Sequence, residues 1–176
     1  MTAPLLAEVR RARTGDVPGI RALVDAYTGD RRLLEKATVT LYEDVQEFWV
    51  AVDEDQVVGC GALHVLWEDL AEVRTVAVTP RLHGCGVGSA LLSRLLEQAR
   101  ELGVRRVFCL TFETAFFARH GFVPLADALD DPALVEATVR AELLRSADEG
   151  VAEFLDLERV KPNTLGNTRM LALLPP

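Results

Sequence analysis

Cysteine is scarce in this chain: 176 residues carry three, Cys60, Cys85 and Cys109. They are far apart and odd in number, with no Cys-x-x-Cys among them, so no disulfide framework is expected. No two histidines stand at metal-ligand spacing, so no zinc site or other metal centre is expected either. Positive charge is also short. The formal charge of −8 argues against a general nucleic-acid surface. It also means that an anionic ligand must be held by local groups, because the overall field repels it. Residues Met1–Asp16 contain no long apolar run, so neither a signal peptide nor a membrane span is expected. Repeats, low-complexity tracts and linkers are missing as well. A chain that is 49% hydrophobic can bury a core in one domain spanning 1–176. These absences point to a reduced, cytoplasmic enzyme or binding module.

What is present centres on Ala71–Thr111. An apolar strand, Val73–Val78, runs into the loop Arg81-Leu82-His83-Gly84-Cys85-Gly86-Val87-Gly88. A helix from Val87 to about Leu102 leaves the loop, and an apolar strand, Val104–Leu110, follows. Glycines between a strand and a helix N-terminus let the backbone approach a ligand. The free N–H groups of the first turn and the helix dipole then face an anion. The pattern therefore predicts a site for a phosphorylated ligand.

The remaining elements follow from periodicity. Val9–Arg13 reads as a first strand, with Asp16 as the N-cap of a helix carrying Ile20, Leu23, Val24 and Tyr27. Leu33–Val45 is a second helical segment. Phe48–Val52 and Val57–His64 read as a hairpin about Asp53–Asp55. Val73–Val78 is expected to be the longest and most central strand. Val87, Leu91, Leu95, Ala99 and Leu102 form one buried helix face, closed by Gly103. A short helix is expected over Glu113–His120, another helix over Pro132–Ser146, and last strands over Val151–Leu157 and Arg169–Leu174, with the polar loop Lys161–Thr168 between them. The fold class is α+β: a single mixed β-sheet flanked by helices in three layers.

Two better-known phosphate loops do not fit. The dinucleotide pattern Gly-x-Gly-x-x-Gly would need glycine where Ser89 stands, and the P-loop would need a lysine before Ser89. What remains is Arg81-x-x-Gly84-x-Gly86. That motif resembles the acyl-CoA loop of the GCN5-related N-acetyltransferase (GNAT) family, written Gln/Arg-x-x-Gly-x-Gly/Ala. The strand Glu72–Val78 and the segment Phe116–Phe122, ending in Gly-Phe, resemble that family's flanking elements. Within the family the chain is similar over most of its length to the short stand-alone amino-acid N-acetyltransferases of actinobacteria, the N-acetylglutamate synthase type. Leu33–Lys36, Tyr42–Val50, Gly59–Trp67, Leu110–Thr114 and Val160–Met170 carry that resemblance.

The resemblance implies transfer of an acetyl group from acetyl-CoA to the α-amino group of glutamate or glutamine, the first step of arginine biosynthesis, with no metal. It implies that the backbone of Val76, Ala77 and Val78 lines the pantetheine path. Arg81, His83, Gly84, Cys85, Gly86, Val87, Gly88 and Ser89 would then hold the pyrophosphate. Glu72 stands where the family often carries its general base. Strand alternation places Glu72 and Arg74 on one face, and contact with a guanidinium would weaken that base. Lys36 and Arg74 are the candidates for the substrate carboxylates, with Lys161 and Arg169 as weaker ones. A strand N–H near Val76–Val78 would polarise the thioester carbonyl. The family's usual tyrosine acid is absent, since Phe116 and Phe117 stand there; Tyr42 and His120 are the nearby substitutes. Cys60, Cys109, Trp49 and Trp67 read as core, and His64 and His83 as lone histidines, the latter near the phosphates. Other acceptors (a protein N-terminus, a polyamine, an antibiotic) and a non-catalytic acyl-CoA-binding regulator remain alternatives. A homodimer through the edge strand Val151–Leu157 is compatible with this fold; nucleic acid and membrane are not expected partners.

Overall fold

The computed structural model describes residues 7–28, 37–124 and 168–175. The segments 29–36 and 125–167 lie outside the described residues, and with them Lys36, Lys161, the expected helix over Pro132–Ser146 and the expected strand over Val151–Leu157.

Seven strands form one mixed sheet: β1 (Glu8–Arg11), β2 (Phe48–Asp53), β3 (Gln56–Trp67), β4 (Leu70–Val78), β5 (Arg106–Thr111), β6 (Val123–Pro124) and β7 (Thr168–Leu173). Their order is β1-β2-β3-β4-β5-β7-β6. β4 and β5 run parallel, pairing Leu70 with Arg106 and Glu72 with Phe108. The β1/β2, β2/β3, β5/β7 and β6/β7 pairs are antiparallel. The helices are α1 (Val17–Thr28), α2 (Thr38–Glu43), α3 (Val87–Glu101) and α4 (Thr114–Ala118). The expected mixed sheet with helices is therefore present, and β4 is its middle strand. The longest strand, however, is β3 with 12 residues. It runs past His64 to Trp67, beyond the alternating stretch that reads as strand in the sequence.

Contacts divide the chain into two compact units. The first takes Met1–His64 and Val73–Gln98. On one face of its sheet, Val17, Ile20 and Val24 of α1 pack with Leu41 of α2, Phe48 and Val50 of β2, and Cys60 and Ala62 of β3. The opposite face carries Ala51 and Val58, which pack with Val87 and Leu91 of α3. Phe48 and Val50 lie two apart and Ala51 is out of phase with them, as pleating requires. The helix α3 comes close because two sheet residues lack side chains. A Cβ at Gly59 would meet Leu91 and Val87 at 3.0 Å, and one at Gly61 would meet Leu95 at 3.0 Å. The periodic face Val87, Leu91, Leu95 and Ala99 is buried as expected, but Leu102 is 54% exposed. The helix ends at Glu101, one residue before it, so the periodicity runs out there. Asp16 precedes α1 within a 3-10 turn, Thr14–Asp16. Its carboxylate accepts from the Arg13 N–H at 2.7 Å and from the Arg10 guanidinium at 2.8 Å, so it closes that turn ahead of the helix.

The second unit takes Val65–Glu72 and Ala99–Pro176. Its core includes Phe108, Phe117, Phe122, Met170 and Leu171, all buried. At the start of β5, Arg106 is 3% exposed and its Nε donates to Asp69 Oδ2 at 3.0 Å, with Nη2 on Oδ1. A two-point fork offsets part of the cost of burying the guanidinium. Trp67, read as core from sequence, is 38% exposed. It shares a face with exposed Val65, two residues before it on the far end of β3.

The β2–β3 hairpin turns through Glu54 and Asp55, with φ of 49° and 63°. Two successive left-handed residues define the type I′ turn, which favours Asn-Gly. Replacing Glu54 with Asn and Asp55 with Gly should raise unfolding free energy by about 1 kcal/mol in urea titrations. An unchanged or lower midpoint would contradict that account.

Candidate active site

Two constellations in the first unit carry chemistry. The first is the glycine loop. After β4, a 3-10 turn over Pro80–Leu82 leads to His83. Gly84 and Gly86 follow with φ of +77° and +86°, a left-handed geometry that costs glycine little. Nothing lies within 4 Å of a Cβ built on Gly84, so backbone conformation and not space selects glycine there. The first bond of the helical ladder runs from Ala90 N–H to Gly86 C=O at 3.0 Å. The amides of Val87 and Gly88 lie ahead of that ladder at the positive end of a 15-residue helix. Arg81 extends from the loop to the hairpin, where its guanidinium reaches Asp53 at 3.1 Å. Cys85 is exposed. His83 is not a lone residue as the sequence suggests: its Nε2 lies 2.7 Å from Tyr27 Oη and 2.9 Å from the Val78 carbonyl.

The second constellation surrounds Arg74. Its Nη2 donates to Asp44 Oδ2 at 3.1 Å and to Glu47 Oε2 at 2.9 Å. Glu47 also accepts from His64 Nδ1 through Oε1 at 2.8 Å, so His64 too has a partner. Burial pushes the Glu47 carboxyl up, but the His64 hydrogen bond and the charges of His64 and Arg74 outweigh it, and the net shift is downward. Glu47 is thus held as a carboxylate, suited to fixing a cation and poorly suited to taking a proton. Arg74 Nε is buried without a hydrogen-bond partner among the described residues.

Between these two sites β4 departs from regular extended backbone. Thr75, buried, has φ of 57°. A β-branched residue in that region is a true outlier. The Cys60 thiol donates to its carbonyl at 3.5 Å, and burial pushes that thiol up to about 12. Beyond it, Ala77 is buried while Val76 and Val78 are half-exposed.

The second unit holds Glu72, half-buried and opposite Phe108 of β5. Burial, and then the Glu72 charge, push the Cys109 thiol far up, so Cys109 stays protonated. Phe117 packs edge-on against Phe122 at 5.2 Å. His120 contacts the Phe116 ring at 5.0 Å. Partial burial and the Arg119 charge push His120 down, favouring the uncharged ring. Tyr42 is exposed on α2, and Arg169 is half-buried on β7, directly before the buried run Met170–Ala172. Among the described residues no His/Cys/Asp/Glu group could hold a metal.

Sequence reasoning missed Asp44, Glu47 and Tyr27 as site components. Asp44 and Glu47 lie in the connection before β2, and only the strand order brings them to Arg74. Tyr27 reads as a core position of α1, and its hydroxyl was the one available signal.

With this geometry in hand, comparison with known proteins is specific. Residues 19–122 match the model of the acetyltransferase (GNAT) family. The amino-acid acetyltransferase of Mycobacterium tuberculosis is 61% identical over 94% of this chain and 94% of its own length. The amino-acid acetyltransferase of Neisseria meningitidis serogroup A is 33% identical, over 65% of this chain but 27% of that protein. Among solved structures, Rv2747 from Mycobacterium tuberculosis in complex with CoA and NLQ is 60% identical. It covers 96% of this chain and 99% of that one, with a TM-score of 0.75. N-acetylglutamate synthase from Neisseria gonorrhoeae, complexed with coenzyme A and N-acetyl-glutamate, is 25% identical over 97% of this chain and 35% of that one, with a TM-score of 0.73. The chain belongs to the acetyltransferase (GNAT) family.

The downward shift at Glu47 has a testable sign. A carboxyl lowered by folding adds stability above its unfolded value and loses it as pH falls through the folded value. The stability gap between the native chain and Glu47→Gln should therefore shrink between about pH 6 and about pH 3 in urea titrations. A constant gap would contradict the ion-pair assignment.

Proposed function

We propose that this chain is an amino-acid N-acetyltransferase that moves the acetyl group of acetyl-CoA to the α-amino group of L-glutamate or L-glutamine, the first step of arginine biosynthesis. The observation that carries the reading is the 61% identity, over nearly the whole chain, to an amino-acid acetyltransferase. The loop Gly84–Ser89 supports it with a set of backbone amides fit for a pyrophosphate, and the CoA complexes of two related structures agree with that use. Three free cysteines among the described residues suit a reducing cytoplasm. No helix among them is long and apolar enough to cross a membrane.

In the proposed reaction Glu72 removes a proton from the substrate ammonium, directly or through water. The amine lone pair attacks the thioester carbonyl carbon. A strand N–H near Val76–Val78 takes the oxyanion. The tetrahedral intermediate collapses as the C–S bond breaks, and the CoA thiolate takes a proton from solvent or from the amine, since phenylalanines stand at the family's usual acid position. Arg74 anchors a substrate carboxylate with the donors that Asp44 and Glu47 leave available, and Lys36 is the second anchor. Asp44 and Glu47 serve this scheme by fixing the guanidinium.

A thiol-release assay with acetyl-CoA and a panel of acceptors tests the reading. Glutamate or glutamine should give saturable release, and Glu72→Gln should lower kcat about a hundredfold. Turnover of polyamines or aminoglycosides without any amino acid would overturn the acceptor, and no turnover with any amine would leave only an acyl-CoA-binding regulator. Acetyl-CoA should also slow alkylation of exposed Cys85, while buried Cys60 and Cys109 stay unmodified in the native protein. Equal alkylation with and without acetyl-CoA would remove the loop from the donor site.

A further inference from the structure

The Val78 carbonyl ends β4 and immediately precedes the glycine loop. It accepts a hydrogen bond from the Tyr27 hydroxyl and a second from His83 Nε2, at 2.9 Å. A carbonyl oxygen cannot donate, so both neighbours must, and the His83 tautomer is assigned from its partners as Nε2–H. The same Nε2 lies 2.7 Å from Tyr27 Oη, so its single N–H is shared between the Val78 carbonyl and the Tyr27 oxygen. The two rings lie nearly parallel, 21° apart, with centroids 6.3 Å apart. Tyr27 sits at the end of α1 with its ring against the core cluster of Val17, Ile20 and Val24, so its hydroxyl is carried on a fixed support. His83 sits directly before Gly84, the first left-handed residue of the loop. Between Val78 and His83 the 3-10 turn is already closed by Leu82 N–H to Thr79 C=O at 2.9 Å. The side-chain bond from His83 back to Val78 closes a larger ring around that turn. It fixes the point at which the chain enters Gly84.

We propose that Tyr27 and His83 act together as positioning residues for donor binding. By both hydrogen-bonding to the Val78 carbonyl while touching each other, they set the β4–loop junction in the shape that aims the loop amides at the pyrophosphate. This rests on the reading of the loop as the acetyl-CoA site, and it adds a residue, Tyr27, that belongs to neither the loop nor the strand. It also gives His83 a role through the backbone that does not require it to touch a phosphate.

The test compares Tyr27→Phe, His83→Ala and His83→Gln with the native chain. Calorimetry reads Kd for CoA, and steady-state kinetics reads KM for acetyl-CoA, KM for the amino acid and kcat. Tyr27→Phe keeps the ring in the core and removes one donor, so the fold is retained. Each of Tyr27→Phe and His83→Ala should weaken CoA binding and raise the acetyl-CoA KM about five- to tenfold, the size of one or two lost hydrogen bonds. The amino-acid KM should stay within about twofold. His83→Gln, whose amide can donate to Val78, should recover most of the loss. Losses spread equally over both substrates, or CoA binding unchanged in Tyr27→Phe and His83→Ala, would overturn the clamp. If the native chain itself fails to bind CoA, the donor reading falls and the clamp with it; if the native chain binds and the variants bind equally well, the clamp alone falls.

Discussion

Two hydrogen bonds on the Val78 carbonyl join α1, the end of β4 and the glycine loop at one oxygen atom. That junction matters because a loop binding through backbone amides has no side chain to correct a misplaced backbone. An amide turned until its N–H···O angle falls below about 120° loses most of its hydrogen bond. The loop therefore depends on rigid neighbours on both sides. Ahead of it stands the Tyr27–His83 pair. Behind it stands α3, seated on the bare surfaces of Gly59 and Gly61 by Leu91 and Leu95.

The Arg74 cluster obeys a different logic. Two carboxylates share one guanidinium nitrogen, and Glu47 is further bound by His64. All four side chains are between about a fifth and a third exposed, so screening by water makes each pair worth little on its own. What such a network supplies is orientation: a long side chain that would otherwise sample many rotamers is held by two partners. Nε is then left buried without a partner, which is costly unless an acceptor reaches it. A substrate carboxylate is the kind of acceptor that would relieve it.

The sequence made the strand–loop–helix unit legible because each part has a local cause. Glycines at 84 and 86 meet positive φ, and the Val87–Leu91–Leu95–Ala99 repeat meets one buried face. The single mixed sheet also followed from pattern. What stayed hidden depends on long-range pairing. Nothing local tells that Asp44 and Glu47 come to Arg74, or that Tyr27 ends beside His83. Trp67 and Leu102 failed for a related reason: both lie at element ends, where alternation continues in the letters after the packing partner has stopped. Thr75 gave no signal, since a β-branched residue reads as ordinary strand and its positive φ is imposed by its surroundings.

The charge balance favours backbone over side chains for holding an anion at the proposed loop site. A net charge of −8 repels an anionic ligand at long range, but at physiological salt that field decays over about 8 Å. Arg81, the loop's own cation, is already paired with Asp53, so its charge is partly neutralised where the ligand would feel it. The first-turn amides of α3 carry no such counter-charge. Their partial positive charges lie within a few ångströms of any group seated on them, inside the screening length, and each contributes without adding a formal charge for a nearby carboxylate to cancel. An acidic protein can in this way keep an anion site that its overall charge opposes, provided the loop geometry is held fixed. That requirement leads back to the carbonyl of Val78.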